Sequence, residues 1–366
     1  MPKSSRFDYG LFLVVAILII FGCLILTSAS TTISQEKFGT SFYYLNHQLV
    51  FGLLPGAVFG LLAFKIKIEF FKKWALIFLL INILFLGMVF MPKVGIRFGG
   101  ANRWVNLGFI SFQPSEFLKL SFILYLASWL TNRTEKIKKN EFKETFLAFL
   151  LIIGLISLFL VFQPDISTLL IILSVALIMY FLAATPFWHT IFILMILVFG
   201  TLILIGIAPY RLNRILVFLN PGLDPMGLGY QVKQALISVG SGGISGLGLG
   251  LSKQKFGFLP ASISDSIFAI LAEETGFIGS FILILLYLIF FWRGFKIGKG
   301  AQNQFSRLIA FGITFWITIQ AFINIGSIIG ILPLTGIPLP FISYGGSALV
   351  TELIGLGLLL NISKSV

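Results

Sequence analysis

Ten apolar stretches, each about one bilayer long, dominate this sequence and limit what it can become. They run over approximately residues 10–29, 45–64, 74–91, 116–130, 145–162, 166–183, 188–208, 266–292, 307–330 and 343–361. A bilayer core of ~30 Å takes about 20 apolar residues as helix. Only 11% of the 366 residues are charged and 58% are hydrophobic, whereas soluble domains carry roughly 25% charged residues. The sequence therefore reads as an all-α integral membrane protein with ten transmembrane helices. Residues 1–366 form one membrane domain, with a large extracytoplasmic loop at 209–265 between helices 7 and 8. The first stretch follows Lys3 and Arg6 and ends near Ser28-Ala29-Ser30, which looks like a cleavage site. It is longer than a usual signal-peptide core and is read as a retained span.

Charge orients the chain. The formal net charge is +13, and excess Lys and Arg mark cytoplasmic loops. With the N-terminus inside, sixteen of the 26 basic residues fall on cytoplasmic segments and nine on outer ones, and Lys119 falls within a span. The bias favours N-in, C-in. Basic residues placed in this way argue against nucleic acid as a partner. The mixed-charge segment 131–144 reads as a solvated cytoplasmic loop. Apart from Lys37, the outer cations gather in two loops, one with Lys93, Arg97 and Arg103 and one with Arg211, Arg214, Lys233, Lys253 and Lys255. Two basic outer loops suggest an anionic ligand on that side. The one cysteine, Cys23, makes no intrachain disulfide or metal cluster. His47 and His189 flank apolar runs without a visible metal-ligand partner. No cofactor motif is present, and a divalent cation is left open.

The polar interruptions carry the chemistry. Loop 92–115 holds Arg103, Trp104 and Asn106, and a helix opens at Gln113-Pro114-Ser115-Glu116. Glu116 and Lys119 are three apart and share a face; a Lys one turn into a span is costly unless it is paired or lines a wet cavity. A second start of this kind, Gln163-Pro164-Asp165, offers Asp165 as a helix cap or as a cavity carboxylate. In 209–279, Arg211 and Arg214 share a face if that stretch is helical. Gln231, Lys233 and Gln234 sit on a short helix. The run from Gly240 to Gly250 either packs tightly or presents backbone N–H groups to a ligand. Asp265 stands where the eighth apolar run begins. It reads equally as an N-cap or as a desolvated base with a raised pKa. Glu273 and Glu274 lie further in, on different faces, and at least one needs a cation or a wet cavity. The uncharged loop 331–347 reads as a rigid lip, an apolar wall for lipid or a partner. Asn324 and Glu352 are lone polar groups that need internal partners.

Together, several motifs resemble the SEDS family (shape, elongation, division and sporulation) almost end to end. They are Arg103-Trp104…Leu107-Gly108, Gln113-Pro114-Ser115-Glu116…Lys119, Gln163-Pro164-Asp165, Asn220-Pro221…Asp224-Pro225, Gly229-Tyr230-Gln231…Gln234, Gln254-Lys255, Leu259-Pro260, Asp265…Glu273-Glu274 and Pro338 to Ser347. The starts and loops look closer to the division branch than to the elongation branch. The resemblance implies a peptidoglycan glycosyltransferase of the bacterial cytoplasmic (inner) membrane. Such enzymes polymerise lipid II at the outer face and release undecaprenyl pyrophosphate. Their partners are a class B penicillin-binding protein, other divisome proteins and membrane lipid. The family's essential acid maps onto Asp265. Arg103, Lys119, Arg211, Arg214, Lys253, Lys255, Gln231 and Gln234 are then candidates for lipid II and its pyrophosphate. Glu116, Asp165, Glu273, Glu274, Ser343 and Tyr344 are structural or cavity-lining candidates. The chain departs from the family at 261–266, where Ala261, Ile263 and Ser266 replace the usual Glu, His and Phe. A lipid II flippase and a non-catalytic divisome scaffold are the competing readings.

Overall fold

The computed structural model describes residues 7–98, 101–108, 111–137, 142–183, 187–207 and 209–366. The side chains of 97, 98, 101, 133–137, 142–145 and 204 also lie outside the description. Arg97 and most charges of loop 131–144 are therefore not placed.

Helix α1 (Tyr9–Phe38) starts where the Asp8 carboxylate accepts the Leu11 N–H at 2.9 Å. It ends at Gly39 in the left-handed conformation, where a side chain would be strained. Next, α2 (Tyr43–Gln48) continues through one π-helical turn (Leu49–Leu53) into α3 (Leu54–Lys65). Pro55 cannot donate to the ladder, and the preceding turn widens around the missing rung. After α4 (Ile68–Met88) come three short strands, then α5 (Pro114–Ile137), α6 (Phe142–Phe162), α7 (Ile166–Leu182) and α8 (Phe187–Ile207). Two helices occupy the large loop, α9 (Pro209–Leu219) and α10 (Leu228–Ser241). The chain closes with α11 (Ile267–Gly300), α12 (Gln304–Ile328) and α13 (Gly346–Ser363).

Each of the ten apolar stretches overlaps one of these helices. Seven helical segments, among the described residues, are long and apolar enough to cross a membrane by length and composition. Residues 146–162 and 166–182 form shorter apolar helices, and α5 carries Glu116 and Lys119. The chain is a mostly helical, multi-pass membrane protein.

The expectation of an all-α chain needs one correction. Residues 95–112 form an antiparallel sheet of β1 (Gly95–Phe98), β2 (Ala101–Asn106) and β3 (Ser111–Phe112) in the order β1-β2-β3. Ile96 pairs with Trp104 and Val105 with Phe112. Branched and aromatic side chains suit such pairs, but strands this short carry little periodic signal.

Helices α12 and α13 are central, with Trp316, Ile317, Leu358 and Leu359 all fully buried. Gly52, Gly56 and Gly60 repeat every four residues along α2–α3 and let α13 approach closely. A Cβ at Gly357 would strike the Gly60 carbonyl, and one at Gly60 would strike that of Leu353.

Two features position the polar groups. The first is a break in α11 at Gly276 (φ 65°, ψ −161°). A side chain there would collide with Gly246 and Ile244. The second is segment 331–345, expected as an exposed lip. It is instead largely a buried re-entrant loop: Ile337, Leu339, Phe341 and Ile342 are each 4% exposed or less. Irregular backbone buried away from water is tolerable only when protein satisfies its polar groups. Here side chains of three helices do so. Asn324 donates to the Ile337 carbonyl (2.7 Å) and Gln320 to that of Pro338 (3.0 Å). The Tyr287 hydroxyl donates to Pro340 O (2.5 Å), and Glu352 accepts the Phe341 N–H (2.8 Å). These bonds explain the lone polar residues of the last spans.

Candidate functional site

Asp265 ends a tight turn whose first residue, Ala261, has a φ of 53°. The N–H groups of Ser264 and Ser266 both donate to the Ala261 carbonyl at 3.1 Å. The carbonyls of Ile263, Ser264 and Asp265 each take a hydrogen bond from a distant element. Tyr344 N–H donates to Ile263 O (2.9 Å) and Ser343 Oγ to Ser264 O (2.5 Å). Asn324 Nδ2 donates to Asp265 O at 2.8 Å. Ser343 and Tyr344, expected to be structural, are therefore the bridge from the re-entrant loop to the acid.

The N-cap reading of Asp265 is overturned. Ser266 is the N-cap of α11, without a side-chain cap bond. The Asp265 carboxylate accepts from Ser264 Oγ at 3.0 Å. Burial pushes its pKa up; Ser264, its own N–H, the Arg214 charge and the Gln231 amide oppose that shift. Gln231 also donates to Ser266 Oγ at 3.0 Å.

Arg214 stands beside it, on α9. Its guanidinium donates to the carbonyls of Leu334 (3.2 Å) and Thr335 (3.4 Å). Burial lowers its pKa, and Arg103 pushes the same way, while Tyr210, Asp265 and Asp165 pull it up. Those effects place two guanidiniums and two carboxylates within one electrostatic cluster. Arg103, from β2, donates to the carbonyls of Gln163 (3.3 Å) and Pro164. A guanidinium has five N–H donors, so these backbone bonds fix both arginines and leave donors for an anion. Ser167 Oγ also holds Thr335 O, at 2.6 Å. Asp165 caps α7 through the Thr168 N–H (3.4 Å) and accepts from Ser115 Oγ (3.0 Å). Its cap reading holds, and it faces the same cluster.

The other expected residues lie in different settings. Arg211, also on α9, lies against its neighbour Tyr210, with Nε 2.8 Å from the phenol oxygen. Lys253 is exposed, Gln234 is half-buried on α10, and Lys233 is exposed on another face of that helix. Lys119 is 1% exposed. Its ammonium is held by Glu116 (2.8 Å) and Gln320 (2.8 Å), and lies 5.2 Å from the centre of the Trp316 ring. Lys255 is buried, donating to Gly250 O (2.6 Å), Ser28 Oγ (3.1 Å) and Glu274 Oε1 (3.4 Å).

Glu273 and Glu274, expected on different faces, converge on one loop. Glu273 accepts from Ser252 Oγ (2.5 Å), Ser238 Oγ (3.0 Å), Lys253 N (3.0 Å) and Gln254 N (3.4 Å). Glu274 accepts from Ser28 Oγ (2.5 Å), Ser252 N (3.4 Å) and Lys255. The loop wraps around the break at Gly276, which frees backbone on both sides. Leu247 and Gly248 donate their N–H groups to the Glu273 and Glu274 carbonyls (3.0 Å each), and Phe277 donates to Gly243 O (2.9 Å). In the glycine-rich run, the N–H groups of Leu247 and Gly248 thus serve packing. Among the described residues, no three His, Cys, Asp or Glu side chains assemble as a metal site.

The profile of the FtsW/RodA/SpoVE family, described as "Cell cycle protein", matches residues 9–366. The chain belongs to this family. Among its relatives is stage V sporulation protein E of Bacillus subtilis, 38% identical over 99% of this chain and 98% of that protein. The probable peptidoglycan glycosyltransferase FtsW of Coxiella burnetii is 39% identical, over 98% of this chain and 97% of its own length. Among solved structures, one chain of a peptidoglycan synthase complex superposes with a TM-score of 0.76 at 28% identity, covering 98% of both chains. The rod shape determining protein RodA of Thermus thermophilus gives 0.68 at 26% identity, over 98% of this chain and 97% of that one. The fold of this FtsW/RodA/SpoVE-family chain is RodA-like.

Proposed function

We propose that this family member is a peptidoglycan glycosyltransferase that polymerises lipid II during cell division. One observation carries the mechanism: Asp265 has its backbone fixed from α12 and the re-entrant loop while its carboxylate lies in the field of the anchored Arg214, which in turn feels Arg103. Asp265 takes the proton from the acceptor sugar hydroxyl. The resulting oxygen attacks the donor anomeric carbon with inversion, and the bond to undecaprenyl pyrophosphate breaks. Arg103 and Arg214 meet the charge that builds on the leaving pyrophosphate. Desolvation raises the affinity of Asp265 for the proton it must accept.

This reading includes ten spans with both termini inside, the Asp265 site on the outer side of the cytoplasmic membrane, and a class B penicillin-binding protein as partner. The likeness to a chain of a peptidoglycan synthase complex supports the partner. The charge bias of the loops supports the orientation. The flippase reading loses its main support, because Glu116 and Lys119 are paired in the interior.

The test is polymer formation from labelled lipid II by purified protein in nanodiscs. Asp265→Ala is expected to lose on the order of 10²- to 10⁴-fold in rate. Wild-type rates from that variant would overturn the assignment.

A further inference from the structure

Asn324 sits on α12, 1% exposed, and both of its amide hydrogens go to main-chain carbonyls. One bond reaches Asp265 O at 2.8 Å and the other Ile337 O at 2.7 Å. Its Oδ1 is buried without a partner among the described residues. Leaving a buried acceptor orphaned is unfavourable. Flipping the amide would turn Oδ1 toward carbonyl oxygens, so the orientation is set by electrostatics. This side chain gives up satisfaction of its own oxygen to tie two carbonyls together.

One turn earlier, Gln320 makes a parallel contact. Its Oε1 accepts from Lys119 Nζ (2.8 Å) and Trp316 Nε1 (2.9 Å), which leaves Nε2 for Pro338 O (3.0 Å). The i, i+4 spacing puts Gln320 and Asn324 on one face of α12. They grip successive residues of the re-entrant loop, and only Asn324 also reaches the segment that carries Asp265. Ser343 and Tyr344 hold the two preceding carbonyls from that same loop.

We infer that Asn324 is a positioning residue for the reaction: it fixes the Asp265 carboxylate relative to the re-entrant loop without touching substrate. Lys119, expected to contact substrate, acts behind it by orienting Gln320. This rests on Asp265 being the base. A reacting group misplaced by about 1 Å can cost on the order of 10²-fold.

Two variants test it in the lipid II polymerisation assay. Asn324→Asp keeps the shape but replaces two N–H donors by a carboxyl that offers one O–H when protonated and none when ionised, so at least one carbonyl faces an oxygen. Asn324→Ser keeps one short donor. Asn324→Asp is expected to lower kcat about 10²-fold with KM for lipid II within about twofold, and Asn324→Ser less. In Asn324→Ser the acid limb of the kcat–pH profile should move to lower pH, because a loosened Asp265 admits water; in Asn324→Asp any charge on the new carboxyl pushes it the other way. A structural role alone would lower folded yield and thermal stability while leaving kcat and the pH profile of the folded fraction at wild-type values; that result overturns the inference. Equal loss through KM overturns it as well. Asp265→Asn, run in parallel, separates the two levels: an active Asp265→Asn removes the base itself. An inactive Asp265→Asn beside a fully active Asn324→Asp removes only the positioning role.

Discussion

Asp265 and Glu273 lie on the same short stretch of chain, yet the fold treats their oxygens in opposite ways. Glu273 accepts from four donors within 3.4 Å, two hydroxyls and two backbone N–H groups. Glu274 beside it has Lys255. Around Asp265 it is the backbone that is saturated: three consecutive carbonyls are held from α12 and the re-entrant loop, while the carboxylate keeps Ser264 as its hydrogen-bonded neighbour. An acid whose oxygens are all engaged holds a loop together. An acid whose main chain is engaged and whose oxygens are less so is aimed at something else. The same contrast separates the cations: Lys255 is neutralised internally, and Arg103 and Arg214 are anchored with donors left over.

Four measurements would break or sharpen this contrast. The largest effect is expected from Asp265→Asn, a loss of polymerase rate of ~10³-fold with the protein folded by size-exclusion and thermal melting. Next is Lys255→Met, which strands Glu274 in the interior. Removing one partner of a buried pair costs about 3–5 kcal/mol, and the Ser28 and Ser252 contacts that remain put this case near ~3 kcal/mol, read as lost thermal stability and lower yield.

Third is the effect of Asp265 on stability. Its folded pKa lies above the unfolded value of 3.8. Such a group stabilises fully below the unfolded pKa and loses that contribution as pH rises through the folded pKa. Asp265→Asn should therefore raise Tm at pH 7, and the gain should vanish as pH falls toward 4. The same shift makes wild-type activity fall as pH drops through the raised pKa, since the base must be ionised. The smallest effect belongs to Lys253→Met at an exposed position, where stability should stay within about 0.5 kcal/mol and only KM for lipid II should rise. A large stability loss there, or none in Lys255→Met, would erase the distinction between the two lysines.

Much of this was legible in the sequence. The helical stretches follow from apolar length alone, Asp165 follows from Gln-Pro-Asp as a helix start, and Asp265 stands out as a carboxylate at the head of an apolar run. What escaped depends on distant partners. Nothing local marks the break at Gly276, because the residues that repair it, 243–248, belong to another loop. The same loop draws Glu273 and Glu274 together against the plain helical expectation. The 331–345 loop has no charge and reads as a surface wall; its burial is visible only once Asn324, Gln320, Tyr287 and Glu352 are seen to satisfy its backbone. The sheet at 95–112 is too short for alternation to reveal it. Gly52, Gly56 and Gly60 did carry a signal, a small residue every fourth position, that a search for close-packed helices would have found.

The re-entrant loop also has a consequence for how the molecule comes to be. The contacts that set Asp265 join residues 59 and 79 positions apart in the chain. Closing long loops is entropically unfavourable until other contacts hold their ends together. The first helices can enter the bilayer one by one, but the turn that bears the acid takes shape only after the last helix has docked. A partly inserted chain therefore lacks the contacts that hold the Asp265 turn in place.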